Sequence, residues 1–195
     1  MLFRSQYAQK FGDDLDHLPL DTELLGRLAI AAGGGPVLDI GCGPAQAGGF
    51  LAARGTRVLG LDLSAGMLAT AAARWGGLGL GVACGDLRRL PVRDACCAGV
   101  TSFYVLHHVP REDLATALRE IRRVLRPGGG LLLATHEGVG EFIANDDLGI
   151  QGTLYRRVEL ERAVAGAGFG KVRVRNRDPL PHERQSGRLY VTATS

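Results

Sequence analysis

The sequence predicts an α/β protein built on a doubly wound, mostly parallel sheet. Short apolar segments of strand length alternate with segments of helix length along most of the 195 residues. Such alternation gives right-handed crossovers and therefore parallel neighbouring strands. The last two apolar segments, 171–177 and 188–194, are joined by a loop of about ten residues, which predicts one antiparallel strand near the C-terminus.

Length and composition fit a single domain that spans residues 1–195 and buries a sizeable core. The hydrophobic fraction is 46% and the net charge is only +3, which are ordinary values for a globular α/β protein. No apolar run approaches the roughly 18 residues of a membrane span, and no secretory signal opens the chain. We therefore expect a cytoplasmic protein without membrane contacts, present as a monomer or weak dimer.

Arginine supplies nearly all of the basic charge, since Lys10 and Lys171 are the only lysines. The densest arginine group follows a helical period and lies opposite an apolar stripe. The group comprises Arg119, Arg122, Arg123 and Arg126, and the stripe comprises Leu114, Leu118, Ile121 and Leu125. A solvated helix face explains this pattern better than a phosphate-binding patch does, so nucleic acid is not a favoured partner.

The four cysteines form no disulfide or metal-binding pattern. Cys42 and Cys84 are isolated, Cys96 and Cys97 are neighbours, and no pair has the C-x-x-C spacing. No histidine lies at zinc-binding spacing from them. We expect reduced packing residues, no metal site and a reducing compartment.

The chain is organised around the segment 37–45, which reads VLDIGCGPA. Val37–Ile40 has the composition of a short buried strand, and Gly41 and Gly43 allow a turn against which a ligand can lie. Gly48 and Gly49 follow, inside a predicted helix that runs to about Arg54. A strand, a glycine turn and a helix N-terminus form a nucleotide-type cradle. The dinucleotide fingerprint is incomplete, because Gln46 stands at the place of its third glycine.

Two acids follow the next two predicted strands. The strand Val58–Asp62 ends in an acid 19 residues after Gly43, where a ribose-binding carboxylate is expected. Ser64 caps the next helix, and a strand over 80–84 leads to Asp86. Two such carboxylates supply one group for a ribose and one for an adenine edge. Each acid taken singly is equally explained as a turn or cap residue, but the series is not.

With these segments, the sequence resembles the class I S-adenosylmethionine (SAM)-dependent methyltransferases. The glycine motif of that family is similar to residues 37–44, its ribose acid to Asp62 and its adenine pair to Asp86 and Leu87. The segments 100–108 (VTSFYVLHH) and 125–130 (LRPGGG) are also characteristic, and the resemblance covers roughly residues 7–194. It implies a Rossmann-like sheet of seven strands.

The resemblance implies that SAM binds beyond the carboxyl ends of the strands. Gly41 and Gly43 would admit its amino-acid part, Asp39 would face its ammonium group, and Asp62 would accept the ribose hydroxyls. Asp86 would accept from the adenine amino group. The expected cofactor-binding residues are Asp39, Gly41, Cys42, Gly43, Asp62, Leu63, Asp86, Leu87 and Tyr104.

Three histidines are candidate catalytic residues. His107 and His108 are expected at the end of the fourth strand, 100–108, and His136 at the end of the fifth, 131–135. Methyl transfer from a sulfonium is an in-line displacement, and positioning alone supplies about 7–11 kcal/mol of such a barrier. A general base is needed only where the acceptor must lose a proton. Ring packing and loop hydrogen bonds remain competing roles for these histidines.

Four further residues are candidates for the substrate side: Tyr7, Glu137, His182 and Arg184. Tyr7 belongs to residues 1–32, the lid region of the family, in which we expect a helix near 5–11 and a helix Thr22–Ala32 capped by Asp21. Arg184 is a bidentate partner for a substrate carboxylate, although a solvated loop is the simpler role. The SAM-binding core is expected over 33–195, with substrate-side loops at 136–155 and 178–187; residues 136–153 lack a strand or helix pattern.

The sequence thus favours a SAM-dependent methyltransferase acting on a small molecule. A non-catalytic protein that binds SAM or S-adenosylhomocysteine is the main alternative, since no residue is an unambiguous base. A nicotinamide-dependent oxidoreductase is disfavoured by the missing third glycine and by the Asp86-Leu87 pair. An RNA methyltransferase is disfavoured because the arginines are scattered.

Overall fold

The computed structural model describes residues 14–145, 150–181 and 183–195. Five α-helices and nine strands occur in these ranges, with short 3-10 turns between them. The helices are α1 (Pro19–Ala32), α2 (Gln46–Ala52), α3 (Ala65–Trp75), α4 (Leu114–Val124) and α5 (Arg157–Gly166). The strands are β1 (Val37–Ile40), β2 (Val58–Asp62), β3 (Gly81–Cys84), β4 (Cys97–Phe103), β5 (Leu125–His136), β6 (Glu141–Asn145), β7 (Ile150–Thr153), β8 (Gly170–Arg177) and β9 (Arg188–Thr194).

Seven strands form one sheet in the order β3-β2-β1-β4-β5-β9-β8. The first five pair in parallel, and β9 runs antiparallel to both of its neighbours. The predicted fold class, a mostly parallel seven-stranded sheet with one antiparallel strand near the C-terminus, is therefore confirmed. The strand order reverses between β1 and β4, and an open α/β sheet binds ligands in the crevice at such a point.

The central strands of the sheet are buried on both faces. On one face, α1 packs Leu25 and Leu28 against β4 and β5. On the other, α4 packs Leu118 and Ile121 into the larger apolar cluster. Because α1 runs antiparallel to the parallel strands, its N-terminal turn lies at the edge where those strands end. No helix in the described part of the chain is long and apolar enough to cross a membrane.

Helix α1 begins earlier than predicted, and the predicted cap is wrong. Pro19 occupies the first turn, where its fixed φ and missing N–H are tolerated. Asp21 therefore lies inside the first turn, and its side chain is fully buried. The predicted helix near 5–11 lies outside the described residues.

The fourth strand ends earlier than predicted, at Phe103. Tyr104 has φ +56°, the left-handed conformation that non-glycine residues rarely adopt, and this turns the chain away from the sheet. His107 and His108 consequently lie in a 3-10 turn, Leu106–His108, rather than on the strand. The fifth strand is longer than predicted, because α4 stops at Val124 and the chain is already extended at Leu125.

The prediction that residues 136–153 lack regular structure is wrong. Strands β6 and β7 pair as an antiparallel hairpin beside the main sheet. Each has only four or five residues, which is too short for a clear alternation of apolar and polar positions. The hairpin stands at the edge where β4 and β5 end, through contacts with the 3-10 turn at 106–108.

Candidate active site

The glycine turn after β1 combines a tight contact with an open space. Gly41 and Gly43 both have left-handed φ values, +61° and +54°. A Cβ on Gly41 would lie 2.1 Å from a methyl carbon of Val105, whereas a Cβ on Gly43 would meet no atom within 4 Å. Gly41 thus serves the packing of the turn, and Gly43 faces room for a ligand.

Asp39 lies directly beneath this turn and is buried, with 2% exposure. Its Oδ2 accepts a hydrogen bond of 2.9 Å from the Gly48 amide in α2. Burial raises the pKa of Asp39 to about 7, and the nearby charge of Asp62 adds to this. A bound cation at the turn would relieve the cost of the ionised carboxylate.

Asp62, at the end of β2, is held by backbone donors on both sides. Its Oδ2 accepts from the Gly43 amide at 2.9 Å, and its Oδ1 accepts from the Ser64 amide at 2.7 Å. Each oxygen of a carboxylate has more than one acceptor site, so both can also accept ligand hydroxyls. Leu63 beside it is 68% exposed.

Asp86 already has a protein partner. Arg88 contacts both of its carboxylate oxygens and also lies 3.3 Å from Asp113. The Arg88 hydrogen bonds hold the pKa of Asp86 below its usual range. Leu87 is buried. Because such exposed ion pairs are weak, a ligand can replace Arg88 at little cost.

A chain of polar side chains runs inward from Tyr104. The hydroxyl oxygens of Tyr104 and Tyr190 are 3.3 Å apart, and the Tyr190 hydroxyl donates to Asp21 Oδ2 at 2.8 Å. Arg177 Nε donates to Tyr190 at 3.3 Å. Burial raises the pKa of Asp21 to about 6, against the opposing effects of Tyr190 and Arg177.

The three candidate histidines cluster beside Tyr104. The ring centroid of His107 is 4.0 Å from that of His108 and 5.0 Å from that of His136, and the His136 ring is 5.4 Å from that of Tyr104. Burial lowers the pKa of His107 to about 2, and burial and Arg188 lower that of His136 to about 4. Both rings are therefore neutral and weakly basic at neutral pH.

The loop 178–187 closes this side of the site. Arg177 pairs with Glu183 through two contacts of 2.8 Å. The Glu137 amide donates to the Gly187 carbonyl at 2.8 Å, and Ser186 Oγ lies 3.1 Å from His136 Nδ1. The guanidinium of Arg184 lies 4.0 Å from the ring centroid of Phe142 in β6. The loop and the hairpin thus meet over the ends of β4 and β5.

The structure brings most of the predicted residues to one edge of the sheet, in two groups. The cofactor candidates surround the glycine turn, and the histidines with Glu137 and Arg184 lie beside Tyr104. Tyr7 and His182 lie outside the described residues. Sequence reasoning missed Asp21 and Tyr190. The available signal for Asp21 was its position on the apolar stripe of α1, three and four residues before Leu24 and Leu25.

A separate open cleft of about 410 Å³ lies at the start of α5. Its lining includes Arg111, Val139, Val158 and Arg162, and none of the predicted cofactor or catalytic residues. Arg111 there is paired with Glu159 and with the Leu154 carbonyl. The cleft is thus distinct from the site at the glycine turn.

The sequence model of a family described as a methyltransferase domain matches residues 37–129. This stretch contains the glycine turn, Asp62 and Asp86. This match, the relatives and the shared fold support a class I SAM-dependent methyltransferase. The expected family and the fold implied by the resemblance are therefore confirmed.

Two curated relatives match part of the chain. An uncharacterised protein from a Streptomyces fradiae transposon is 37% identical over 152 residues, which are 70% of this chain and 44% of that protein. A probable S-adenosylmethionine-dependent methyltransferase of Mycolicibacterium smegmatis is 37% identical over 109 residues, or 56% of this chain and 41% of that one. The chain spans less than half the length of these relatives.

Solved methyltransferases share the fold more completely. A 1,6-didemethyltoxoflavin-N1-methyltransferase of Burkholderia thailandensis, with bound 1,6-didemethyltoxoflavin and S-adenosylhomocysteine, has a TM-score of 0.73. The match covers 99% of this chain and 87% of that enzyme at 23% sequence identity. At that identity the similarity shows the architecture alone.

Proposed function

We propose that this protein transfers the methyl group of SAM to a small-molecule acceptor. The observation that carries the proposal is the glycine turn, where Gly43 faces open space between the carboxylates of Asp39 and Asp62. Family membership supplies the donor, and the polar and aromatic groups around Tyr104 supply an acceptor side.

The described residues fit the donor in charge and space. SAM supplies an electrophilic methyl group on a positively charged sulfur. Asp39 and Asp62 would hold its ammonium and ribose groups, and Gly41 and Gly43 would allow its amino-acid part to approach the backbone. Asp86, released from Arg88, and the Leu87 amide would hold the adenine. The exposed Leu63 would then be covered.

Catalysis in this proposal rests chiefly on positioning. Tyr104, His107 and His136 would line the side from which an acceptor approaches the methyl carbon. Neutral imidazoles can orient an acceptor by hydrogen bonds without carrying charge. The hairpin and the loop 178–187 would exclude water from this side. Most of the lowering of the activation barrier would then come from holding the acceptor close to the methyl group.

A small acceptor is supported by how closely these elements approach. The rings of His136 and Phe142 are 5.4 Å apart, and Arg184 covers Phe142. The structural relative from Burkholderia thailandensis binds a small molecule. On the arginine-rich face of α4, Arg123 is engaged with Glu120 and Asp94, which disfavours a phosphate-binding patch.

The first test is thermal unfolding with SAM, with S-adenosylhomocysteine and with NADH. A ligand at about 100 times its dissociation constant stabilises by about 2.7 kcal/mol, which raises the melting temperature of a domain of this size by several degrees. We expect a shift with the first two ligands only. A shift with NADH alone would contradict the donor assignment.

A matched pair of variants locates the site. Gly43→Ala and Gly55→Ala both place a side chain at a left-handed φ with no atom within 4 Å, so both bear a similar backbone strain. Only Gly43 lies at the proposed cradle. We expect Gly43→Ala to abolish the shift with SAM and Gly55→Ala to retain it; loss in both would indicate a general defect.

The second candidate function is a SAM-binding protein without turnover. It is favoured by the low pKa values of His107 and His136, which leave two of the three candidate histidines poor bases. Release of S-adenosylhomocysteine from SAM across a panel of alcohols, phenols, amines and carboxylic acids separates the two functions. Tight SAM binding without release in any mixture would favour the second.

A further inference from the structure

Asp21 is a buried acid that the proposed mechanism does not yet use. It lies in the first turn of α1, at the edge of the sheet where the parallel strands end, and its residue exposure is 0%. Its Oδ2 accepts from Tyr190, while its Oδ1 has no hydrogen-bond partner among the described residues. A buried oxygen left without a partner costs free energy. The presence of a carboxylate at this position therefore calls for a chemical reason.

The hydrogen bonds from Tyr104 to Asp21 have a fixed direction. An ionised Asp21 can only accept, so the single Tyr190 proton is directed at Oδ2. Arg177 Nε can only donate, and it donates to the Tyr190 oxygen. Tyr104, 3.3 Å away, must therefore also donate to that oxygen. The oxygen of Tyr104 is left with lone pairs to accept a hydrogen bond from a further group.

The outer end of this chain lies beside the proposed acceptor position. Tyr104 follows β4 directly and is half-buried, and the next residue, Val105, packs against Gly41. The Tyr104 ring is 5.4 Å from that of His136. The chain of hydroxyls thus connects the methyl-transfer side of the site with a carboxylate in the interior.

We infer that Tyr104, Tyr190 and Asp21 form a proton relay that takes the proton from a hydroxyl or amine acceptor as it is methylated. The inference rests on the proposed function and names the class of acceptor: one that must lose a proton. Tyr104 is the catalytic residue of the relay, because it is the one of the three that touches the acceptor. Tyr190 and Asp21 act through it.

The step balances in atoms and charge. The acceptor donates a hydrogen bond to the Tyr104 oxygen and attacks the methyl carbon, and the carbon–sulfur electron pair returns to sulfur. The acceptor proton passes to Tyr104, the Tyr104 proton to Tyr190, and the Tyr190 proton to Asp21 Oδ2. The positive sulfonium and the negative carboxylate become a neutral thioether and a neutral carboxylic acid. After the methylated product leaves, Asp21 returns its proton along the same hydroxyls, and Tyr104 releases a proton to the solvent water that replaces the product.

The surroundings of Asp21 suit a temporary proton store. Arg177 on β8 favours the ionised form, while burial and Glu183 in the following loop oppose it. Tyr190 on β9 is its hydrogen-bond donor. The balance leaves the pKa of Asp21 at about 6, close to the operating pH that favours a general base. His107 and His136, with values of about 2 and 4, are much weaker bases.

The relay is tested first without an acceptor, by carbon-13 NMR on the protein saturated with S-adenosylhomocysteine. The labels are the carboxyl carbon of aspartate and the hydroxyl-bearing carbon of tyrosine, assigned with Asp21→Asn, Tyr104→Phe and Tyr190→Phe. We expect the Asp21 signal to titrate near pH 6 and the Tyr104 signal to move with the same midpoint. In Tyr190→Phe the Tyr104 signal should no longer follow. The relay would be overturned if the chemical shift of Tyr104 did not change as Asp21 titrates.

The second arm uses an alcohol, phenol or amine that releases S-adenosylhomocysteine in the acceptor panel. We expect kcat of the wild type to fall below pH 6, and Asp21→Asn and Tyr104→Phe to lose about 10²-fold or more in kcat. Asp21→Asn should also lose the acid limb of the pH profile. The double variant should lose no more than either single variant, because the residues act as a unit.

Two controls keep the outcomes distinct. Tyr155→Phe removes another buried hydroxyl, which donates to the Leu106 carbonyl at 3.4 Å and is not part of the relay. We expect the kcat of this variant to be within about twofold of the wild-type value. Calorimetric SAM binding should be equal in the wild type, Asp21→Asn, Tyr190→Phe and Tyr155→Phe. If no acceptor is methylated, the proposed function fails while the NMR arm still decides whether the hydrogen-bond chain exists. If only carboxylic acids are methylated, or if Asp21→Asn leaves kcat unchanged, the relay is overturned. The proposed methyl-transfer function would not be contradicted by either result.

Discussion

The two halves of the candidate site are built by different means. Around the glycine turn, the donors that hold Asp39 and Asp62 are backbone amides of Gly48, Gly43 and Ser64. Around Tyr104, the partners are side chains from α1, β8, β9 and the loop between the last two strands. The first half depends on backbone geometry, which glycines and strand ends fix locally. The second depends on side chains that meet only after the sheet has formed.

The difference predicts how each half responds to substitution. The half around the glycine turn, which would hold the methyl donor SAM, is the donor half; the half around Tyr104 is the acceptor half. The donor half should be sensitive to backbone strain and to any added atom, and it should tolerate changes at its exposed rim. The acceptor half should be sensitive to the loss of single charges, because each buried charge there balances another. Four substitutions test this contrast, beginning with the largest expected effect.

Gly41→Ala should be the most damaging change at the donor half. It adds a Cβ at φ +61° and 2.1 Å from Val105, so backbone strain and overpacking combine. We expect the free energy of unfolding to fall by about 3–5 kcal/mol and SAM binding to be lost. Chemical denaturation and calorimetry measure the two effects. Gly43→Ala is the comparison: it should lose SAM binding at a cost of only about 1–2 kcal/mol, and equal destabilisation of both would refute the packing role of Gly41.

Asp39→Asn should change the pH dependence of SAM binding. The pKa of the free protein's Asp39 is about 7, and an ammonium partner favours the ionised form. Between pH 6 and pH 8 the wild-type dissociation constant should therefore fall by about tenfold more than that of the variant. Titration calorimetry at several pH values measures this. Parallel curves for the two proteins would place the ammonium group elsewhere.

The same substitution tests the cost of burying Asp39. Because the folded-state pKa is raised from 3.8 to about 7, the folded state holds a proton that the unfolded state has released. Stability without ligand is therefore highest below pH 4 for this group and falls as pH rises towards 7. Asp39→Asn should stabilise the ligand-free protein above pH 7 by about 1–3 kcal/mol, and should give no gain near pH 4.

Glu183→Gln should weaken the acceptor half. Burial alone would raise the pKa of Glu183, but hydrogen bonds from Arg177 and the Leu180 amide outweigh it and lower the value to about 2. The stabilisation is therefore present above about pH 4.5 and is lost as pH falls towards 2. We expect the substitution to cost about 2 kcal/mol at pH 7. Glu23→Gln, in an exposed pair with Arg27 and Arg175, should cost less than about 0.5 kcal/mol.

Arg88→Ala should have the smallest effect. Its side chain is exposed and its pairs with Asp86 and Asp113 are at the surface, so the melting temperature should barely change. Freed Asp86 should bind the adenine amino group slightly better, lowering the SAM dissociation constant by about twofold to threefold. A large loss of affinity instead would mean that Arg88 itself contacts the ligand.

The donor half and the acceptor half also differ in how well they can be predicted from the sequence. The strand, glycine turn and acid at residues 37–43 and 62 are recognisable because neighbours in the chain are neighbours in space, and each element needs a particular residue type. Ser64 caps α3 as predicted, by accepting from the Met67 amide. The sheet class follows from the alternation of strands and helices, which is a property of the whole chain.

The acceptor half was less accessible because its partners are distant in sequence. Tyr190 and Asp21 are 169 residues apart, and no periodicity links them. Asp21 was predicted as a cap because Asp commonly caps helices, but Pro19 begins the helix earlier and turns the side chain inward. The hairpin was missed because its strands are short, and the turn at Tyr104 because a left-handed tyrosine has no sequence signature.

That left-handed tyrosine sets stability against activity at a single position. Glycine, or asparagine to a lesser degree, would adopt φ +56° with less strain than tyrosine does. Either substitution would, however, remove a half-buried ring that packs against Phe103 and His136, and glycine would also give the unfolded chain more freedom. The contacts of the ring therefore hold position 104 in a conformation that costs about 1–3 kcal/mol. The same ring carries the hydroxyl that begins the relay, so the backbone strain is a cost in stability that places a group for activity.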